Sequence, residues 1–159
     1  MSNAKYAEIL EQSSVPKKVW KTALYLRLSR DDGTESESNS IASQREILKE
    51  YIKRYPDMEI YDIYVDDGYS GTNFDRPDFN RMMDDIYAHK VNCVLVKDLS
   101  RFSRNHTEGG IYLDKIFVKL GVRFIAINNQ IDIGIRGINS FNDLVKVGVT
   151  NIMNESLAA

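Results

Sequence analysis

The sequence is poor in the residues that staple a fold, ligate metal or cross a membrane. It holds one cysteine, Cys93, in 159 residues. No internal disulfide can form, so stability has to come from buried apolar surface. No His or Cys cluster surrounds Cys93, so neither a metal nor any other cofactor is expected. Its setting, Cys93-Val94-Leu95-Val96, predicts a buried strand cysteine. No run approaches the ~18 apolar residues that mark a transmembrane helix. The N-terminus lacks the charged-then-apolar pattern of a secretion signal. A cytoplasmic protein with no membrane partner is the expectation. A basic excess is missing too: 21 Lys and Arg stand against 23 Asp and Glu, for a net charge of −2. That is not the electrostatic footprint of a nucleic-acid binder, so any such contact must rest on a local cluster of cations or lie elsewhere.

What is present is an ordinary globular composition, 43% apolar and 28% charged, on a chain long enough for one substantial core. Residues 1–21 are polar and mixed and read as a leader; Met1-Ser2-Asn3-Ala4 resembles the remnant of an affinity tag. Residues 22–159 read as one domain. Its last periodic segment runs into Glu155-Ser156-Leu157-Ala158-Ala159 with no glycine cap, proline or polar stop. The chain is therefore expected to be a piece of a longer protein.

Strands are predicted at Thr22–Leu28, Glu59–Val65, Val91–Lys97 and Val122–Ile127, with a short fifth at Ile131–Ile135. Between them lie helical patterns. The first carries Ile41, Ile47, Leu48, Tyr51, Ile52 and Tyr55, opened by Ser38-Asn39-Ser40 and stopped by Pro56. The second starts at Pro77, a residue suited to the first helical position, and carries Phe79, Met82, Met83, Ile86 and Tyr87. The third runs from about His106 to Gly121. A final helix bears the stripe Phe141, Leu144, Val145, Gly148, Val149, Ile152 and Met153. The acidic, Ser-rich stretch Asp31–Ser40 reads as a mobile loop. Strands alternating with helices predict an α/β fold: a mostly parallel central sheet of four to five strands with helices on both faces. Ligands in such folds gather outside the carboxyl ends of the strands, where Ser29, Ser70 and Arg101 fall.

That edge carries the chemistry. A strand covered on both faces should be apolar throughout, yet Arg27 interrupts the first one. Side chains alternate along a strand, so Arg27 and Ser29 share a face. A hydroxyl beside a fixed cation is a plausible nucleophile; equally, Arg27 could pair with a nearby acid. After the third strand comes Lys97-Asp98-Leu99-Ser100-Arg101-Phe102-Ser103-Arg104-Asn105. On one helical turn Arg101 and Arg104 would share a face, and two forked guanidiniums suit a phosphate. The dipole disfavours cations at a helix start unless an anion sits there. A third element, Asp66-Asp67-Gly68-Tyr69-Ser70-Gly71 followed by Asp75-Arg76-Pro77, is on its own a glycine loop and helix start, and it adds a fourth arginine, Arg76.

In this order and spacing, Tyr25-Leu26-Arg27-Leu28-Ser29, Gln44, Tyr69-Ser70-Gly71 with Asp75-Arg76-Pro77, and Leu99-Ser100-Arg101-Phe102-Ser103-Arg104 resemble the catalytic domain of the resolvase/invertase serine recombinases. The resemblance spans roughly Thr22 to Glu155. The long loop after Ser29 and the Asn39-Ser40-Ile41 start look like the large serine recombinases of phages and conjugative transposons. The resemblance implies site-specific DNA recombination through a 5′-phosphoserine intermediate, without metal or ATP. It implies Ser29 as nucleophile and Arg27, Arg101 and Arg104 around the scissile phosphate. Gln44, Ser70, Arg76 and Ser100 would be supporting, phosphate-binding polar residues. Glu155 would be the acid on a long interface helix, truncated here, that leads to a separate DNA-binding region. Double-stranded DNA is the implied partner, with homodimers and homotetramers as the working assembly and a nucleoid location when bound. Small members often carry aspartate where Ser100 stands; Asp98 lies two residues earlier.

Two other readings compete. A phospho-receiver domain shares the strand–helix pattern and could use Asp66 and Asp67 as a metal pair with Asp98 as phosphate acceptor. It wants its acidic pair after the first strand, where Ser29-Arg30-Asp31-Asp32 stands, and it has no use for Arg27, Arg101 and Arg104 together. A catalytically silent homologue would instead use the Phe141–Met153 stripe to bind a partner. Among alternative nucleophiles, Ser103 lies between the two arginines, ahead of Ser70 and Ser100.

Overall fold

The computed structural model describes residues 18–29 and 40–134. Five strands form one sheet: β1 (Trp20–Leu28), β2 (Met58–Asp67), β3 (Cys93–Val96), β4 (Arg123–Ala126) and β5 (Ile131–Ile133). Their order is β2-β1-β3-β4-β5. All neighbours run parallel except β4 and β5. The helices are α1 (Ile41–Lys53), α2 (Pro77–Tyr87), the single turn α3 (Leu99–Phe102) and α4 (His106–Ile111). A π-helical segment (Tyr112–Ile116) then joins α4 to α5 (Phe117–Leu120).

The mostly parallel, doubly covered α/β sheet expected from the sequence is the observed fold. β1 shows why. Leu24 and Leu26 face one core with Trp20, Leu48, Ile52, Met58, Cys93, Leu95 and Ile125, which α1 covers. Ala23 and Tyr25 face the other, with Phe79, Met82, Phe102, Phe117 and Phe124. Alternation along a strand thus feeds two separate cores. Cys93 is fully buried, as its apolar run predicted.

Boundaries differ from the sequence reading in instructive places. β1 starts two residues early because Trp20 and Lys21 pair with Met58 and Glu59, so the expected leader gives up its last residues to the sheet. β3 and β4 are shorter than their apolar runs, since Val91 and Val122 are buried without laddering. A bulge between Thr22 and Ala23 absorbs one extra residue of β2, Tyr61. The third helix changes pitch over Tyr112–Ile116. In an α-helix, residues five apart point roughly 140° away from each other. The wider π turn lets both Tyr112 and Phe117 reach Phe102, at 6.2 and 5.7 Å between ring centres. Gly121 closes the run in the left-handed conformation, φ 68°.

Each principal helix has a local start signal. Ser40 caps α1 by accepting the Ser43 N–H at 3.0 Å, and Asn105 caps α4 by accepting that of Glu108 at 3.1 Å. α2 begins with Pro77 but takes its cap from another strand. Both carboxylate oxygens of Asp66, at the end of β2, accept the N–H groups of Asp78 and Phe79 at 2.9 Å. A negative charge there also complements the helix dipole. The Asp31–Ser40 loop apart from Ser40, the Phe141–Met153 stripe and Glu155 lie outside the described residues.

Candidate active site

The carboxyl ends of β1, β2 and β3 bring Ser29, Arg27, Gln44, Ser70, Arg76, Ser100, Arg101 and Arg104 to one edge of the sheet. The arrangement starts from incomplete strand pairing. On its β3 side β1 is laddered only through Leu24. Three residues on, the backbone of Arg27 is exposed to that gap, and side chains fill it. The Gln44 amide from α1 accepts the Arg27 N–H at 3.3 Å and donates to its carbonyl at 3.0 Å. The Arg101 guanidinium donates to the same carbonyl at 3.1 Å. A buried backbone pair must be satisfied, and here a glutamine does the work of a missing strand. Gln44 is wholly buried for this reason.

Arg27 itself is wholly buried. Its guanidinium donates to the carbonyls of Arg101 (3.1 Å), Tyr69 (3.0 Å) and Ser100 (2.6 Å). It therefore ties the loop after β2 to α3 and secures both to β1. Gly71 packs directly on it: a Cβ at this position would lie 2.7 Å from Arg27 Nη2 and 2.9 Å from Cζ. The glycine loop noted in the sequence is thus required by close approach to the arginine. Ser29 follows at the strand end and is buried, 7% exposed.

Arg76 is equally buried. It donates to the carbonyls of Asn73 (3.0 Å), Arg101 (3.3 Å) and Phe102 (2.7 Å) and to the Tyr25 hydroxyl (3.0 Å). Its guanidinium lies over the rings of Phe74 and Phe79 at 4.6 and 4.8 Å. Tyr25 passes the connection on, donating to Asp66 at 2.7 Å. Burial pulls the Arg76 pKa down, partly offset by Tyr25, and burial pushes the Tyr25 phenol well up. Arg76 thus braces α3 from below, through a chain that ends at the α2 cap.

The two arginines of the third motif do not share a helical face. The helical turn ends at Phe102 and Ser103 is extended, φ −158° and ψ 139°. Arg101 points into the sheet edge, 4% exposed. Arg104 is half-buried and is placed by its own N–H, which donates to the Gly71 carbonyl at 2.7 Å. The Gly71 loop, rather than i,i+3 spacing on a helix, positions Arg104. Lys97, buried at the end of β3, adds a further cation; burial lowers its pKa.

The remaining hydroxyls are engaged locally. Ser103 donates to the Asn105 carbonyl at 2.9 Å and accepts its N–H at 3.0 Å. Ser70 bonds the Thr72 hydroxyl at 2.8 Å and accepts the Thr72 N–H at 3.1 Å. Ser100 donates to Asp98. Asp66 spends its oxygens on the α2 cap and Tyr25, which removes it from the metal pair a receiver domain would need. Among the described residues no group of three or more His, Cys, Asp and Glu is arranged to hold a metal. Sequence reasoning missed Asn129, whose side chain accepts the Leu99 N–H at 2.7 Å and so caps α3 from the β4–β5 turn. Only the Asn128-Asn129 turn signal marked it, and a turn signal says nothing of a contact 30 residues away.

An α/β sheet whose carboxyl edge gathers buried arginines and a strand-end serine is a resolvase-like fold. The profile of the family described as "Resolvase, N terminal domain" matches residues 22–146. The N-terminal catalytic domain of TP901-1 integrase superposes with a TM-score of 0.70 at 28% identity, covering 87% of this chain and 99% of that one. A resolvase family site-specific recombinase from Streptococcus pneumoniae gives 0.61 at 32% identity, with 87% and 94% covered. The C-terminal catalytic domain of ISC1926 TnpA, an IS607-like serine recombinase, shares the fold at 18% identity, with a TM-score of 0.55 and 83% and 80% covered. No curated protein matches. The chain belongs to the resolvase N-terminal domain family and is a site-specific recombinase of the serine class.

Proposed function

We propose that the domain cuts and rejoins double-stranded DNA at specific sites by transesterification at Ser29. The Ser29 Oγ attacks the scissile phosphorus, the P–O3′ bond breaks, and the 3′ oxygen leaves with a proton as the serine loses its own. The phosphodiester becomes a 5′-phosphoserine ester. A 3′ hydroxyl from a recombination partner then reverses the step, so the bond energy is conserved and neither ATP nor metal is called for. The carrying observation is the placement of Ser29 at the end of β1, on an edge where Gln44, Arg27 and Arg76 fix the backbone around Arg101 and Arg104. Phosphoryl transfer asks mainly for position and charge stabilisation. In this reading Arg101 and Arg104 face the phosphate, while Arg27 and Arg76 hold the frame that presents them.

Homodimers binding one site and homotetramers joining two are the working assembly, with a DNA-binding region beyond residue 159 supplying most phosphate neutralisation. Glu155 serves that assembly. The near-neutral net charge of −2 fits a catalytic part that leaves affinity to another region.

Incubating the full-length protein with DNA bearing its recombination site, then quenching in denaturant, tests this. A protein–DNA adduct at the 5′ end, lost in Ser29→Ala, is expected. An adduct that survives Ser29→Ala moves the chemistry to another residue. Its absence from the wild-type protein on DNA that it binds would favour a catalytically silent homologue.

A further inference from the structure

Asp98 stands at the N-cap of α3, where an aspartate ordinarily accepts a helix N–H. Its carboxylate makes no such bond. Asn129 has taken that task, accepting the Leu99 N–H at 2.7 Å from the β4–β5 turn. The carboxylate is thereby released to turn inward. One oxygen accepts the Ser100 hydroxyl, and the other lies 3.7 Å from Arg101 Nε. The Asp98 side chain is 21% exposed and that of Arg101 only 4%.

The local charge balance gives this arrangement a purpose. The Arg27, Arg76 and Arg101 guanidiniums converge on one small network: Arg27 and Arg76 both donate to the Arg101 carbonyl, and Arg101 donates to that of Arg27. Like charges this close repel unless anions intervene. Asp66 serves Arg76 through Tyr25. Asp98 places a carboxylate beside Arg101. We propose that Asp98, oriented by Ser100, is a positioning residue that fixes the Arg101 guanidinium toward the scissile phosphate, and that Asn129 makes this possible by capping α3 in its place.

The inference rests on the phosphoryl-transfer reading, and the test separates the two. The full-length protein is mixed with recombination-site DNA at saturating concentration, and the rate of covalent adduct formation is followed alongside DNA affinity. Asp98→Asn keeps the size and the acceptor for Ser100 but removes the charge. It is expected to slow adduct formation by about 10²-fold, the scale of a misplaced catalytic group, with affinity unchanged. Ser100→Ala should slow it less, and Ser100→Thr, which restores the hydroxyl, should recover the rate. In an Arg101→Lys background the Asp98→Asn change should lose most of its effect, because the two act through one interaction. A wild-type rate in Asp98→Asn, or an undiminished effect beside Arg101→Lys, overturns the proposal. A wild-type protein that forms no adduct overturns the underlying reading instead.

Discussion

Arg27 is the residue that the sequence singles out, and the structure surrounds it with carbonyls. As a cation in a covered strand it had two candidate explanations, a bound anion or a neighbouring acid. The guanidinium is met by the carbonyls of Tyr69, Ser100 and Arg101. Three carbonyl dipoles stabilise a buried cation while committing three chain segments to one position. Gly71 is part of the same device. Gly71→Ala is expected to lower stability by about 1–3 kcal/mol, the usual cost of overpacking, because the new methyl meets the guanidinium at 2.7 Å. Urea denaturation of the purified domain checks this; a midpoint equal to wild type would show that Arg27 swings away without cost.

Among the elements, α2 shows how a helix is started by a strand that sequence places far from its first turn. Asp66 caps it and also takes the Tyr25 hydroxyl, so the helix start and the Arg76 brace share one carboxylate. Asp66→Ala should cost about 1–3 kcal/mol, as expected for lost caps and a stranded buried donor. It should also weaken amide protection across Leu99–Phe102, since Arg76 loses its link through Tyr25. Hydrogen exchange that is raised in α2 alone would separate the cap from the brace. The β2 edge illustrates another element-level device. It is an outer strand of the sheet, and its free side is occupied by Asp78 accepting the Val65 N–H and Arg81 donating to the Ile63 carbonyl. Those contacts block the outer edge against strand addition.

For the molecule as a whole, several phenols and the thiol are held protonated by burial. Cys93 is raised from its ordinary 9.0 to about 12, with Arg123 pulling the other way. Tyr51 is raised to about 12 by burial and the Tyr55 hydrogen bond. Tyr25 and Tyr64 are raised further, again mainly by burial. Above the ordinary thiol and phenol values the unfolded chain releases protons that the folded chain keeps, so stability falls as pH rises. The thiol's contribution is complete below pH 9 and is lost progressively from there to about 12. Denaturation midpoints measured across pH 8–12 should fall steadily. Cys93→Ala should remove the earliest part of the slope, near pH 9, whatever it does to the midpoint at pH 8. An identical slope in that variant would mean that the thiol ionises freely in the folded state.

The sequence by itself determined the fold class, the helix starts at Ser40, Pro77 and about His106, and the helix stop at Gly121. These are local matters: period, capping chemistry and turn residues are written within a few positions of where they act. It also determined that Arg27 is out of place in a covered strand and so needs a partner. Which partners it takes was decided by tertiary structure. The gap left where β1 outruns β3 makes Gln44 a surrogate strand. The extended Ser103 parts Arg101 from Arg104, and the Gly71 loop positions Arg104. The capping of α3 by Asn129 and of α2 by Asp66 depends on contacts across 30 and 12 residues. Periodicity cannot carry that information, because hydrogen bonds between distant segments are set by strand order and register. Strand order was likewise beyond the pattern, which marks apolar runs but not which edge each one joins.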